Sequence, residues 1–236
     1  MIGISTLPFY EMSLKDALNI IEEKAKMAEI YTECHNVFDF EAFDSFNLVY
    51  ALHCPTTDIN LASTIDKMRE AGIEVIRDYV SRASDIGAKR VVIHPGYYSD
   101  HTRKISEEMH KKSLSEISKF KDEYGIEISI ENMFWPFSFL RKAEEYEGFL
   151  EALPLTFDVG HAHLNGEVKN FLALKDRIVH VHLHDNNGAS DEHLGLGKGD
   201  IDFSMVLPEI KRSDMILEIK EKKDIDASLK MVRRYL

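Results

Sequence analysis

The hydrophobic pattern of this chain changes period repeatedly, and that alternation restricts the fold more than any single motif. Short apolar runs fall at residues 2–6, 30–33, 48–53, 89–94, 126–131, 155–158, 178–184 and 215–219. Such runs read as strands, and a near-continuous one such as KRVVIH suits a parallel strand covered on both faces. Between them, apolar residues recur at helical spacing. Ser13 can cap a helix carrying Leu14, Ala17, Leu18, Ile21, Ala25 and Ala28. Ser63 can cap a longer one through Ile65, Met68, Ile76, Tyr79, Val80, Ala83 and Ile86, closed by Gly87. A polar helix over 102–124 carries Ile105, Met109, Ile117 and Phe120 inward and ends at Gly125. Eight strands alternating with helical stretches in 236 residues predict one (β/α)8 domain, a TIM barrel over 1–236. An incomplete doubly wound sheet would give a similar rhythm.

Charge and cysteine usage narrow the partners. A formal net charge of −12 disfavours non-specific attraction to a phosphate backbone, so nucleic acid starts behind small molecules as a partner. Cys34 and Cys54 are far apart with no CxxC spacing, which indicates neither a disulfide framework nor a zinc ribbon. The start, MIGISTLPFYEMS, lacks the basic and apolar regions of a signal peptide, and no apolar run approaches the ~18 residues of a membrane span. The expectation is a cytoplasmic protein without a membrane partner.

In a barrel, the active site lies where strands end and βα loops begin. The residues at those ends are His53, His94, Glu131, Asp158, His182 or His184, and Glu218, so six of eight strands finish in a metal-capable side chain. Singly, each has an ordinary explanation: His94 before Pro-Gly as a hydrogen-bonded strand end, Asp158 as a helix cap. Jointly they point to a metal site, because random scatter would not favour one end of the strands. The loops add His161, three residues after Asp158, and Asp191 with His193. Imidazole and carboxylate suit divalent ions, here Zn²⁺ or Mn²⁺ with Mg²⁺ as the alternative.

The stretch HVHLHDNNGASDEHLGLGKG from His180 to Gly199 concentrates this chemistry. Strand alternation puts His180, His182 and His184 on one face. His182 is expected to bind metal. His180, two residues deeper, reads as a hydrogen-bonded core residue, and His184 falls at the rim, where it is assigned to substrate binding. His35, His101, His110 and His163 have no strand-end position.

Read together, HCPTTDINLAS at 53–63, VVIHPG at 91–96, ISIEN at 128–132, FDVGHAHLNG at 157–166, VHVHLHDN at 179–186, DEHLGLGKGDIDF at 191–203 and LEIK at 217–220 resemble the xylose isomerase-like barrels. That group includes sugar isomerases and epimerases as well as endonuclease IV. The sugar-directed members imply one metal held by Glu131, Asp158, His182 and Glu218. The endonuclease members imply a three-zinc cluster that also uses His53, His94, His161, Asp191 and His193. The first branch implies an enediolate mechanism with Glu131 and Glu218 as the acid/base pair. The second implies phosphodiester hydrolysis by a metal-activated water.

The full ligand set favours the endonuclease branch, and the surroundings favour the sugar branch. The loop after the second strand is acidic and Phe-rich, and Thr56 stands where endonuclease IV carries a DNA-inserting aromatic. The run from Met133 to Phe137 could wall a polyol pocket around Trp135, or cover the barrel top as core. The chain also departs from ketose 3-epimerases, with Phe137 in place of a substrate-binding Glu and Gly188 in place of an Arg. Lys198 replaces a common loop Glu and could meet a substrate phosphate or carboxylate. The reading is a divalent-metal-dependent isomerase or epimerase acting on a small sugar or sugar phosphate, with an endonuclease IV-like phosphodiesterase as the alternative.

Overall fold

A computed structural model describes residues 1–33, 40–147 and 153–235. Cys34, His35 and the rest of 34–39, in the acidic loop after the second strand, lie outside them. The strands are β1 (Ile2–Ser5), β2 (Met27–Tyr31), β3 (Val49–His53), β4 (Arg90–Ile93), β5 (Glu127–Glu131), β6 (Leu155–Asp158), β7 (Ile178–Leu183) and β8 (Asp214–Leu217). They close into a barrel in chain order, every pair parallel, with β8 returning to β1. A doubly wound sheet is thereby ruled out.

Side chains on the outer strand faces, such as Ile30, Leu52, Val91, Ile128, Phe157 and Leu217, pack with the helices in one apolar cluster. Each such side chain contributes about 1.5–3 kcal/mol by leaving water. Inside the barrel, Met27, Ala51 and Ile216 form a small separate cluster with Val49. Above them the interior becomes polar. Ser129 and Thr156 share a hydrogen bond of 2.6 Å, and the residues beyond them carry charge. The register between β6 and β7 shifts, pairing Leu155 with Ile178 but Thr156 with His180. Such an irregularity re-aims side chains, and here it puts His180 beside Thr156.

The helix capped by Ser13 forms over Leu14–Lys24, with Ser13 Oγ accepting from the Asp16 amide at 3.1 Å. It stops earlier than the apolar spacing predicts. Ala25 is extended, and Ala28 belongs to β2, which starts at Met27 and not at residue 30. Ala28 is buried because strand alternation sends it, with Ile30, to the outer face. Ser63 does not cap the next helix, Asp66–Asp85; its Oγ accepts from Ile65 N in the preceding turn. Ile65 and Met68 are exposed, while Ile76, Val80 and Ala83 are buried. The polar helix divides into Arg103–Ile117 and Phe120–Tyr124. Its buried face carries His110, which stacks on Phe139, whereas Ile105 is exposed. Among the described residues, no helix is long and apolar enough to cross a membrane. Cys54 is a buried free thiol.

Candidate metal and catalytic site

The C-terminal mouth of the barrel gathers the strand-end residues into one cluster. His182, fully buried on β7, is its centre. Its Nδ1 lies 3.2 Å from Glu131 Oε1 on β5, 3.1 Å from Glu218 Oε2 just past β8, and 3.8 Å from Asp158 Oδ2 at the end of β6. Ligand atoms of Glu131, Asp158, His182 and Glu218 all lie within 4.8 Å of one another. Asp158 also caps the helix Val159–Leu164, its Oδ1 accepting from the His161 amide at 2.6 Å. The capping and binding readings of Asp158 are thus compatible, since Oδ2 remains turned into the cluster.

Two further sets adjoin this one. His53 Nε2 and His94 Nε2 stand 3.1 and 3.2 Å from Glu131 Oε2. On the other side, His161, His184, Asp191 and His193 bring their ligand atoms within 4.8 Å of one another. His193 Nε2 is 2.9 Å from Asp191 Oδ2, and His161 Nε2 is 3.4 Å from the same oxygen. The ring of His193 stacks on that of His184 with centroids 4.1 Å apart.

Ring orientation tests whether this set suits a cation. His53, His161 and His193 each donate Nδ1–H to a backbone carbonyl, of Cys54, Asn132 and Glu218 respectively, at 3.0, 2.9 and 2.7 Å. A carbonyl only accepts, so each ring turns Nε2 toward a carboxylate. A ring nitrogen facing a carboxylate oxygen needs a proton or a metal ion between them. The buried atoms here without a hydrogen-bond partner include His182 Nδ1 and Asp158 Oδ2 in the first set and Asp191 Oδ1 in the second. Such atoms are costly, and a divalent cation would satisfy them. The residues fit a metal.

Without metal, protons take that place. Burial lowers the pKa of His53, but its hydrogen bond and charge attraction to Glu131 prevail and raise it to about 9. Burial likewise opposes protonation of His193, yet Asp191 and Glu218 lift it to about 8. His182 and His161 are held well above the ordinary imidazole range despite burial, by the carboxylates around them. Glu131 is held well below the carboxylate range: burial opposes this, and His182 and His94 outweigh it. His94 is the exception, where burial exceeds the pull of Glu131 and lowers the pKa.

Above the cluster opens a cavity of about 580 Å³, within the size range of small-molecule sites. Met133, Phe134, Trp135, Pro136 and Phe137 all line it. Met133 is buried, whereas Trp135 is 62% exposed, so this run walls the cavity more than it fills the core. Phe134 lies against the His161 ring, with centroids 4.7 Å apart. Thr56 is tied down by Glu33, which accepts from its amide at 2.8 Å.

Two expectations change. His184 is completely buried beneath His193 and does not line the cavity; its Nε2 is 3.1 Å from Asp158 Oδ1. The loop after β7 folds back through paired backbone bonds between Asp185 and Leu194, which lays the Asp191–His193 segment over it. Lys198 pairs with Asp224 at 2.6 Å and is not among the cavity residues. Among the described residues lining the cavity, Lys220 is the one lysine or arginine. The residue that sequence reasoning missed is Glu29 on β2, buried against His180 and His182 at 2.6 and 2.9 Å. Its signal was alternation with Met27, hidden by the extension of the first helix.

The sequence pattern described as xylose isomerase-like TIM barrel matches residues 41–235. The chain belongs to that family. Within it, the chain is 37% identical to an uncharacterized protein of Methanocaldococcus jannaschii, across 95% of this chain and 94% of that protein. A crystal structure of a D-tagatose 3-epimerase-like protein superposes with a TM-score of 0.88 at 30% identity, covering 99% of this chain and 96% of the other. A Bacillus subtilis protein named "Probable endonuclease 4" is 28% identical over 64% of this chain and 58% of its own length.

Proposed function

We propose that this protein is a divalent-metal-dependent isomerase or epimerase of a small sugar or sugar phosphate. The observation that carries the reading is the convergence of Glu131 and Glu218 on His182 beneath a small aromatic-walled cavity. The likeness to the D-tagatose 3-epimerase-like protein supports it. Glu131, Asp158, His182 and Glu218 would hold the ion, which supplies Lewis acidity toward the oxygens of a hydroxy-carbonyl substrate. Glu131, ionised at neutral pH, removes the proton on the carbon beside the carbonyl, and the electron pair passes to the carbonyl oxygen as an enediolate. Glu218, entering the step as the acid, gives its own proton to the opposite face, which leaves Glu218 ionised and Glu131 protonated, and proton exchange with solvent resets the pair. Trp135 and Phe134 set apolar ring faces against sugar C–H bonds and exclude water.

A second observation favours the phosphodiesterase reading: the additional set of His161, His184, Asp191 and His193 beside the first. A duplex also needs a basic surface, and the cavity wall offers Lys220 alone among its described lysines and arginines. The test pairs an oligonucleotide bearing one abasic site with a panel of ketoses and their phosphates, using the same Mn²⁺- or Zn²⁺-loaded preparation. Epimer or aldose formation with an intact oligonucleotide is expected. Metal-dependent incision abolished by Glu131→Gln would overturn the proposal.

A further inference from the structure

Beneath the metal-binding cluster, side chains from β4, β7 and β2 form a polar column inside the barrel. Arg90, on β4, has a side chain only 3% exposed. Its Nη1 donates to His180 Nδ1 and to the Val179 carbonyl, each at 3.1 Å, and approaches Asp214 Oδ2 at 3.3 Å. Its Nη2 pairs with Glu127. A guanidinium has donors and no acceptor. His180 Nδ1 must therefore accept, and Nε2 must carry the ring hydrogen. That hydrogen goes to Glu29 Oε2 at 2.6 Å. The other oxygen, Glu29 Oε1, stands 2.9 Å from His182 Nε2 as a close charge contact rather than an aligned hydrogen bond. Glu29, His180 and His182 are all fully buried, and none lines the cavity.

We propose that Glu29, oriented by Arg90 through His180, is a positioning residue that fixes His182 with its N–H on Nε2 and its Nδ1 lone pair aimed at Glu131, Asp158 and Glu218. The inference rests on the reading of those four residues as the metal site. A carboxylate behind a ligating imidazole sets its tautomer and raises its basicity. Glu29 suits this place because His180 donates Nε2–H to its Oε2, and its Oε1, 2.9 Å from His182 Nε2, favours a hydrogen on that nitrogen. A carboxamide offers one acceptor oxygen and one donor nitrogen, so it satisfies one ring at the expense of the other. The three residues could themselves surround a cation, since their ligand atoms also lie within 4.8 Å of one another. The guanidinium of Arg90 against His180 opposes that arrangement.

Two readouts independent of turnover test the proposal. In the zinc-loaded wild-type protein, ¹⁵N shifts of the imidazoles should show Nε2–H on both His180 and His182, with His182 Nδ1 bound to metal. Metal bound at His182 Nε2 would overturn the proposal in favour of an ion among Glu29, His180 and His182. Co²⁺ titrations followed by visible absorption should then show Glu29→Gln binding about 10- to 100-fold more weakly than wild type, with a new population of His182 carrying its hydrogen on Nδ1. Wild-type affinity and an unchanged tautomer in Glu29→Gln would overturn the positioning role and leave the metal site standing. Absence of Co²⁺ binding by the wild-type protein would overturn both, and Glu131→Gln serves as the control that marks loss of the metal site itself.

Discussion

At Gly160 the backbone after β6 passes so close to His184 that a Cβ would lie 2.0 Å from ring atom Cε1. The buried histidine and the residues stacked on it are thus positioned by the absence of a side chain. Gly160→Ala should cost about 1–3 kcal/mol as an overpacked site, measured by urea unfolding, and should reduce bound zinc by displacing His184. Unchanged stability would show that the ring moves aside freely. Glu218→Gln acts at the chemistry itself. It should lower the rate of isomerisation by about two to four orders of magnitude while leaving the circular dichroism of the fold unchanged, and wild-type turnover would remove Glu218 from the acid/base pair. At this scale the sequence was readable wherever a ligand type ended a strand, as at His53, Glu131 and Asp158. Glu29 was unreadable because Ile21, Ala25 and Ala28 continue the spacing of a helix that has already ended at Lys24. His184 was misplaced because strand alternation gives its face but not the loop that covers it.

Among elements, the loop from Asp185 to Ile201 carries Asp191 and His193, and four of its backbone amides meet one carboxylate. Asp185 Oδ2 accepts from the amides of Gly197 and Gly199, both at 2.9 Å, and Oδ1 from those of Asn186 and Ile201, at 3.0 and 3.2 Å. A Cβ on Gly199 would come 2.3 Å from the Asn186 carbonyl oxygen, so the chain can pass there only as glycine. Hydrogen bonds to a charged group contribute roughly 1.5–3 kcal/mol each. Asp185→Ala should therefore accelerate amide exchange at Gly197 and Gly199 selectively, with β2 and β5 unaffected. Uniform acceleration would instead indicate global destabilisation. The sequence showed this segment as a Gly-rich loop after a strand. It did not show that Asp185 is the anchor, because four amides converging on one carboxylate depend on how the chain doubles back. Likewise Ser63 had the right residue type for a cap, yet the helix begins after Ile65, and Ser63 serves the turn before it.

The whole molecule was the most legible level, because eight changes of period permit few architectures and a closed parallel barrel satisfies them all. Its least ordinary property is the concentration of buried carboxylates and histidines at one end, a reason to expect stability to depend on pH and metal. In the metal-free protein, His53 and His193 have pKa values of about 9 and about 8, above the ordinary value of roughly 6.5. Groups raised in the folded state stabilise it fully below their unfolded pKa, and that contribution disappears as pH rises through the folded values. In chelator, the melting temperature should consequently fall between about pH 7 and 9. Excess zinc held by Glu131, Asp158, His182 and Glu218 should raise the melting temperature across that range, since a ligand at 100 times its dissociation constant adds about 2.7 kcal/mol. An unchanged melting temperature in excess zinc would contradict the proposed site. The central claim, proton transfer at carbon by the Glu131 and Glu218 pair, is tested most directly by deuterium uptake from D₂O into ketoses and ketose phosphates, followed by NMR with Mn²⁺- or Zn²⁺-loaded protein. The account predicts metal-dependent exchange of the hydrogen beside the carbonyl in at least one substrate, reduced to background in Glu131→Gln. No exchange in any member of the panel, from protein that binds its metal and is folded, would contradict it.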